Sequence, residues 1–177
     1  DLVLTFPRSS GHWSSVASKL VIGLLILLPA WQGLVEIKNS PMGNWLIMAV
    51  MVLVWGADIG AYFSGRAFGK RKLAPQVSPG KSWEGVFGGL LLSLLITAVV
   101  GVVRGWSASQ MFAALVGAAV IVLISVVGDL TESMFKRQAG IKDSSNLLPG
   151  HGGVLDRIDS LTAAIPVFAV LLWMAAS

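Results

Sequence analysis

The densest chemistry in this sequence lies between positions 129 and 159, a stretch that holds five of the nine acidic residues and four basic ones. Asp129, Glu132, Ser133 and Lys136 are spaced i, i+3, i+4 and i+7, so on a helix they share one face. Asp156 and Asp159 are an i, i+3 pair and can also point the same way. Between the two groups runs KDSSNLLPGHGG, a polar segment rich in turn formers. Carboxylates in number, with no cysteine and a single histidine nearby, suit a hard cation, and Mg²⁺ prefers carboxylate, water and phosphate oxygens. The interleaved Lys136, Arg137, Lys142 and Arg157 are what a polyanionic phosphate substrate requires. Gly150, Gly152 and Gly153 flank His151, and glycines there let backbone N–H groups approach phosphate closely. A solvated helix-end ion pair, worth under about 1 kcal/mol, explains any one Asp–Lys couple. It does not explain five acids, four bases and a GHGG turn together.

Other residues invite separate readings. Asp58 lies inside the apolar run VWGADIGAYFSG. A carboxylate at that depth costs about 2.5–3.5 kcal/mol on insertion scales and must face protein interior or water. Its readings are metal ligand, substrate contact or structural partner. Gly56, Ala57, Gly60, Ala61 and Gly65 around it allow close helix packing. SPGKSWEG (78–85) contains Gly80-Lys81-Ser82 but is not a P-loop, because Pro75 stands where the first glycine belongs and no strand precedes it. Ser78, Lys81, Ser82 and backbone amides remain available to a nucleotide phosphate. Lys70, Arg71 and Lys72 fit a nucleotide or anionic lipid headgroups equally well. His151 has three readings: general base, phosphate donor or turn-stabilising hydrogen bonder. His12 reads as an uninvolved loop residue.

The elements that must carry these residues are membrane helices. Of 177 residues, 55% are hydrophobic and 12% charged, with a mean hydropathy of +0.78. Soluble domains carry roughly 25% charge, so lipid must be part of this chain's solvent. Apolar stretches run over about 16–35, 44–63, 85–103, 108–127 and 161–176. Helices are the expected spanning element, since an isolated strand leaves its backbone unpaired in hydrocarbon. Pro29 is expected to kink the first, and the fifth is expected to tilt or to begin within 156–160. The absence of cysteine excludes disulfides and thiolate metal sites. Arg66, Lys70, Arg71, Lys72 and Lys81 lie in one long connection, and Lys136, Arg137, Lys142 and Arg157 in the other. Basic loops mark the cytoplasmic side, which places both connections and the N-terminus inside and the C-terminus outside. Residues 1–15 read as a linker from an upstream part, and 16–177 as the membrane-embedded catalytic region. The fold class is an all-α polytopic transmembrane bundle with its chemistry in cytoplasmic loops.

Ser133-Met-Phe-Lys136-Arg137, four residues, Lys142-Asp143, five residues, then Pro149-Gly-His151-Gly152-Gly153-Val-Leu-Asp156-Arg157-Ile-Asp159 resembles the signature of phosphatidate cytidylyltransferases, the CDP-diacylglycerol synthases. Trp55-Gly-Ala-Asp58 through Phe68-Gly-Lys70, and Ser78-Pro-Gly-Lys81 through Gly85, are similar to its bacterial members. The strong resemblance covers about 54–168. Family members are longer, with extra spans ahead, so this chain resembles their C-terminal portion.

The resemblance implies transfer of a cytidylyl group from CTP to phosphatidate, giving CDP-diacylglycerol and pyrophosphate. It implies Asp129, Asp156 and Asp159 as Mg²⁺ ligands, with Asp143 or Glu132 added in a two-metal arrangement. Asp129, Lys142, Asp156, Arg157 and Asp159 would be catalytic. Ser78, Lys81, Ser133, Lys136, Arg137, His151, Gly152 and Gly153 would bind substrate. Partners would be the two substrates, the lipid bilayer and a second copy in a homodimer, with no nucleic acid. The setting would be the bacterial inner membrane, the site facing the cytoplasm. Two alternatives stay open: a CTP-dependent kinase of a polyprenol-type alcohol, and an anion transporter. The latter usually shows paired repeats and broken helices, and neither is visible here.

Overall fold

A computed structural model describes residues 15–145, 147 and 152–176. Five helices carry the chain: α1 (Val16–Asn39), α2 (Gly43–Phe68), α3 (Trp83–Arg104), α4 (Ala108–Gln138) and α5 (Leu155–Ala176). All five are long and apolar enough to cross a membrane, so the chain is an all-α polytopic bundle. Strands β1 (Lys72–Ala74) and β2 (Ser78–Ser82) form an antiparallel hairpin between α2 and α3. The sequence reading treated that region as loop. The fifth helix begins at Leu155, ahead of its apolar run and one residue before the 156–160 segment offered for its start, so Asp156, Arg157 and Asp159 stand on its first turns. Of the linker expected over 1–15, only Ser15 falls within the described residues, and its side chain caps α1 by accepting from Ser18 N–H at 3.1 Å.

The helices end where local chemistry stops them. Ser82 caps α3 through Gly85 N–H (3.2 Å) and Ser107 opens α4 in a reciprocal capping box with Gln110. Gly105, at φ 66°, ends α3 in the left-handed region, where glycine carries no Cβ penalty. Met42, at φ 63°, starts α2 in the same region, a strained position for a side chain.

Packing in lipid relies on close contact rather than water exclusion, so small residues set the interfaces. A Cβ on Gly89 would stand 2.5 Å from the Ala57 carbonyl, and one on Gly60 would stand 2.7 Å from the Gly88 carbonyl. Helices α2 and α3 therefore touch backbone to backbone. Ser93 adds a buried hydrogen bond across that seam to Leu53 O at 3.0 Å. Helix α1 meets α5 in the same way at Gly33 and Pro166, and each of these helices runs through an internal proline. The main core joins α2, α4 and α5 through Val50, Val54, Ile121, Val122, Leu161 and Ala164.

Helix α4 is the element that positions the chemistry. Its 31 residues extend about 46 Å at 1.5 Å per residue, against about 30 Å of hydrocarbon. About ten residues must project beyond the lipid, and Asp129, Glu132 and Lys136 lie on that overhang when α4 enters at Ala108.

Candidate active site

The hairpin docks on the α4 overhang. Ala74 and Val77 pack against Leu130 and Met134, which lie one helical turn apart, and all four are buried. The Arg137 guanidinium fixes the turn by donating from Nε to Val77 O at 3.3 Å. This apolar seat places the next strand so that Lys81 forms an ion pair with Asp129. The two long basic connections of the sequence therefore meet on one side of the bundle.

Around Lys81 the charges are one-sided. Asp58 of α2 lies within electrostatic reach of Asp129, Asp159 and Lys81. Asp159 of α5 feels Asp129, Lys81 and Lys136. Asp129 alone pairs with that ammonium, and Asp58 and Asp159, from two further helices, act on the pair electrostatically. Helices α4 and α5 come together at this level because Gly128 admits Ala163: a Cβ on Gly128 would lie 2.5 Å from that of Ala163. Asp58 is accessible even though it sits ten residues inside α2. A carboxylate at that depth faces protein interior or water rather than lipid.

A second charged group lies on the overhang. Lys136 Nζ bridges Glu132 (3.2 Å, i,i+4) and Asp156 (2.7 Å). Ser133 Oγ donates back to Asp129 at 3.3 Å, joining the two groups along one face of α4, as the spacing predicted. Asp156 is nearly enclosed. It accepts from Ser144 N–H (2.9 Å), Ser144 Oγ (3.0 Å) and Gly153 N–H (2.7 Å) in addition to Lys136. Gly152, at φ 77°, turns the chain so that these donors converge, and a Cβ there would meet the Asp156 carboxylate at 2.8 Å. In this geometry Asp156 braces the loop between α4 and α5, and the Gly153 amide expected for phosphate is turned onto that brace.

The structure brings together Asp129, Glu132, Ser133, Lys136, Asp156, Asp159 and Lys81, and adds Asp58 to them. Lys142, Asp143 and Arg157 are exposed, the first two between α4 and α5 and the third on the first turn of α5. Ser78 lies at the start of β2, opposite Ala74. His151 lies outside the described residues. Sequence reasoning missed Ser144, whose place in a run of turn formers gave no sign of its two bonds to Asp156. All the convergent donors are oxygens and carboxylates outnumber lysines, which suits a hard divalent ion in charge and donor type. Among the described residues no three acids stand converged at ligating geometry. An apolar groove of about 510 Å³ runs between α1, α4 and α5, lined by Ile22, Ile26, Val127 and Ala163, with Glu132 and Thr131 among its polar members.

Five helices long and apolar enough to span a membrane, with a cluster of carboxylates and lysines where three of them meet the hairpin, define a polytopic membrane protein. A profile of the cytidylyltransferase family matches residues 2–175, and the chain belongs to that family. It is 74% identical over 174 residues to the phosphatidate cytidylyltransferase of Pseudomonas aeruginosa, covering 98% of this chain and 64% of that protein. To the Haemophilus influenzae phosphatidate cytidylyltransferase it is 50% identical, with coverages of 95% and 62%. The chain thus spans less than two thirds of the length of these relatives. A solved intramembrane enzyme for archaeal membrane lipids biosynthesis is similar at a TM-score of 0.47 and 20% identity, over 71% of this chain and 91% of that one.

Proposed function

We propose that this chain carries the reaction site of a phosphatidate cytidylyltransferase, transferring the cytidylyl group of CTP to phosphatidate. The observation that carries the reading is the meeting of Lys81, Asp129, Asp159 and Asp58 from the hairpin and three helices, next to a lipid-sized groove. The family and its curated relatives support the same chemistry.

A phosphate oxygen of phosphatidate attacks the α-phosphorus of CTP. The new P–O bond forms as the bond from that phosphorus to the bridging oxygen breaks, and pyrophosphate leaves. The nucleophile is already anionic near neutral pH, so no strong general base is needed. The obstacle is repulsion between two polyanions. Lys81 and the exposed cations Lys142 and Arg157 offset it and orient the phosphates. Mg²⁺, when bound, supplies the remaining neutralisation, with Asp129, Asp159 and Asp58 as the side chains suited to hold it. Lys136 is held between Glu132 and Asp156, and so fixes the α4–α5 loop around the substrates. An acyl chain of phosphatidate occupies the α1/α4/α5 groove. The site faces the cytoplasm of a bacterial inner membrane, where CTP is available, and the enzyme works as a homodimer.

The test supplies labelled CTP and phosphatidate to the purified membrane enzyme with Mg²⁺ titrated. Pyrophosphate and CDP-diacylglycerol should appear together in a Mg²⁺-dependent manner. Asp159→Asn should abolish both while helicity is retained. Release of CDP in place of pyrophosphate, or normal turnover by Asp159→Asn, overturns the proposal.

A further inference from the structure

At the base of the hairpin, on residues that take no part in the Lys81–Asp129 pair, lies a second groove of about 450 Å³, lined by Arg71, Trp83, Glu84 and Phe87. Its position follows from chain connectivity. Trp83 N–H donates to Arg71 O (3.0 Å), closing the base of the hairpin where α3 begins. The Glu84 carboxylate accepts from Arg71 N–H at 3.2 Å through both oxygens. That acid is therefore engaged with the backbone at the foot of the groove. Trp83 and Phe87, one turn apart, hold their rings 6.5 Å between centroids and are 46% and 65% exposed, which is too open for a core pair. Arg66, Lys70, Arg71 and Lys72 put four cations in seven residues, all exposed. The groove stands at the first turn of a spanning helix, the level of lipid headgroups. Its charged end and its aromatic end match the two ends of an interfacial phospholipid.

We propose that this groove binds the headgroup of an anionic phospholipid, the phosphate on Arg71, with the exposed Lys72 next to it in the chain adding charge, and the glycerol and upper acyl carbons against Trp83 and Phe87. The site is separate from the reaction cleft, and it stands independently of the activity proposed above. Its consequence is mechanical. Lys72 pairs in the ladder with Ser82, the neighbour of Lys81, so a lipid held at Arg71 and Trp83 braces the strand that presents Lys81 to Asp129.

The experiment reconstitutes the full chain in phosphatidylcholine bilayers containing equal mole fractions of brominated phosphatidylglycerol or brominated phosphatidylcholine. The fluorescence difference between wild type and Trp83→Phe isolates quenching at Trp83. A cation at a membrane surface favours an anionic lipid by about fivefold. The anionic lipid should therefore quench Trp83 at least about fivefold more effectively. That preference should fall to about one in the doubly substituted Arg71→Gln, Lys72→Gln chain. It should also vanish for wild type in 1 M salt, where the Debye length is about 3 Å. Both cations are exposed, so their substitution removes no packed core. Equal quenching by the two lipids, a preference that survives the double substitution, or its removal by millimolar soluble glycerol phosphate overturns the assignment.

Discussion

Replacing Asp156 by Asn tests whether the α4–α5 loop is held by a single buried carboxylate. The side chain of Asp156 is only 5% exposed and accepts from Lys136, Ser144 and Gly153. Asn keeps one acceptor oxygen. Placed at the Oδ2 position, that oxygen retains the two Ser144 donors and the Gly153 amide, and the new NH₂ then faces the Lys136 ammonium. Loss of that charge-assisted bond costs about 1.5–3 kcal/mol. The remaining bonds weaken from ionic to neutral acceptors, and relief of carboxylate desolvation offsets part of the sum. A net local loss of about 3 kcal/mol corresponds to roughly a hundredfold increase in loop opening, at tenfold per 1.4 kcal/mol. Hydrogen exchange reads this directly. The Ser144 and Gly153 amides should exchange roughly a hundredfold faster in Asp156→Asn, while core amides such as Ile121 and Val122 are unchanged. A change under about tenfold at both loop amides would show that something else holds the loop, and the brace would be wrong.

Lys81→Met removes the ammonium among Asp58, Asp129 and Asp159 and should lower kcat/KM for CTP at least about a hundredfold, with Lys81→Arg recovering part of it in the same assay. Val77→Ala, at a residue 1% exposed, strips about 2 kcal/mol from the hairpin seat. Exchange of hairpin amides 72–82 should rise by about thirtyfold, and unchanged protection would place the seat elsewhere. Gly89→Leu must displace the Ala57 backbone and should abolish monodisperse protein on size exclusion. Gly23→Ala, where a Cβ meets nothing within 4 Å, should leave the elution profile unaltered.

The helices were legible because runs of about twenty apolar residues have one stable form in lipid. Their ends were less so. The fifth apolar run begins only at 161, and polarity left open whether α5 takes in the Asp156-Arg157-Ile-Asp159 ahead of it; it does, with Asp156 turned onto Lys136 of α4. The hairpin was hidden for a different reason. Ser78-Pro-Gly-Lys-Ser82 contains residues depleted from strands, and what holds it is the tertiary seat on Leu130 and Met134, which no local pattern reveals. Asp58 was legible as an expensive intramembrane charge, but its partners, 71 and 101 residues further along the chain at Asp129 and Asp159, were not. The signature located Asp156 without telling a ligand from a brace. That distinction depends on donors from Ser144 and Gly153, which converge only after the chain turns at Gly152.

The two walls of the cleft are fastened by unlike means. On one wall, charge and four donors lock α5 and its preceding loop to α4. On the other, the hairpin rests on an apolar seat, Ala74 and Val77 against Leu130 and Met134, to which the Arg137–Val77 bond and the Lys81–Asp129 pair are added. Helix α4 is thus the common post to which the hairpin and α5 are both tied, so a rotation of that one helix carries the lysines and carboxylates of both sides with it.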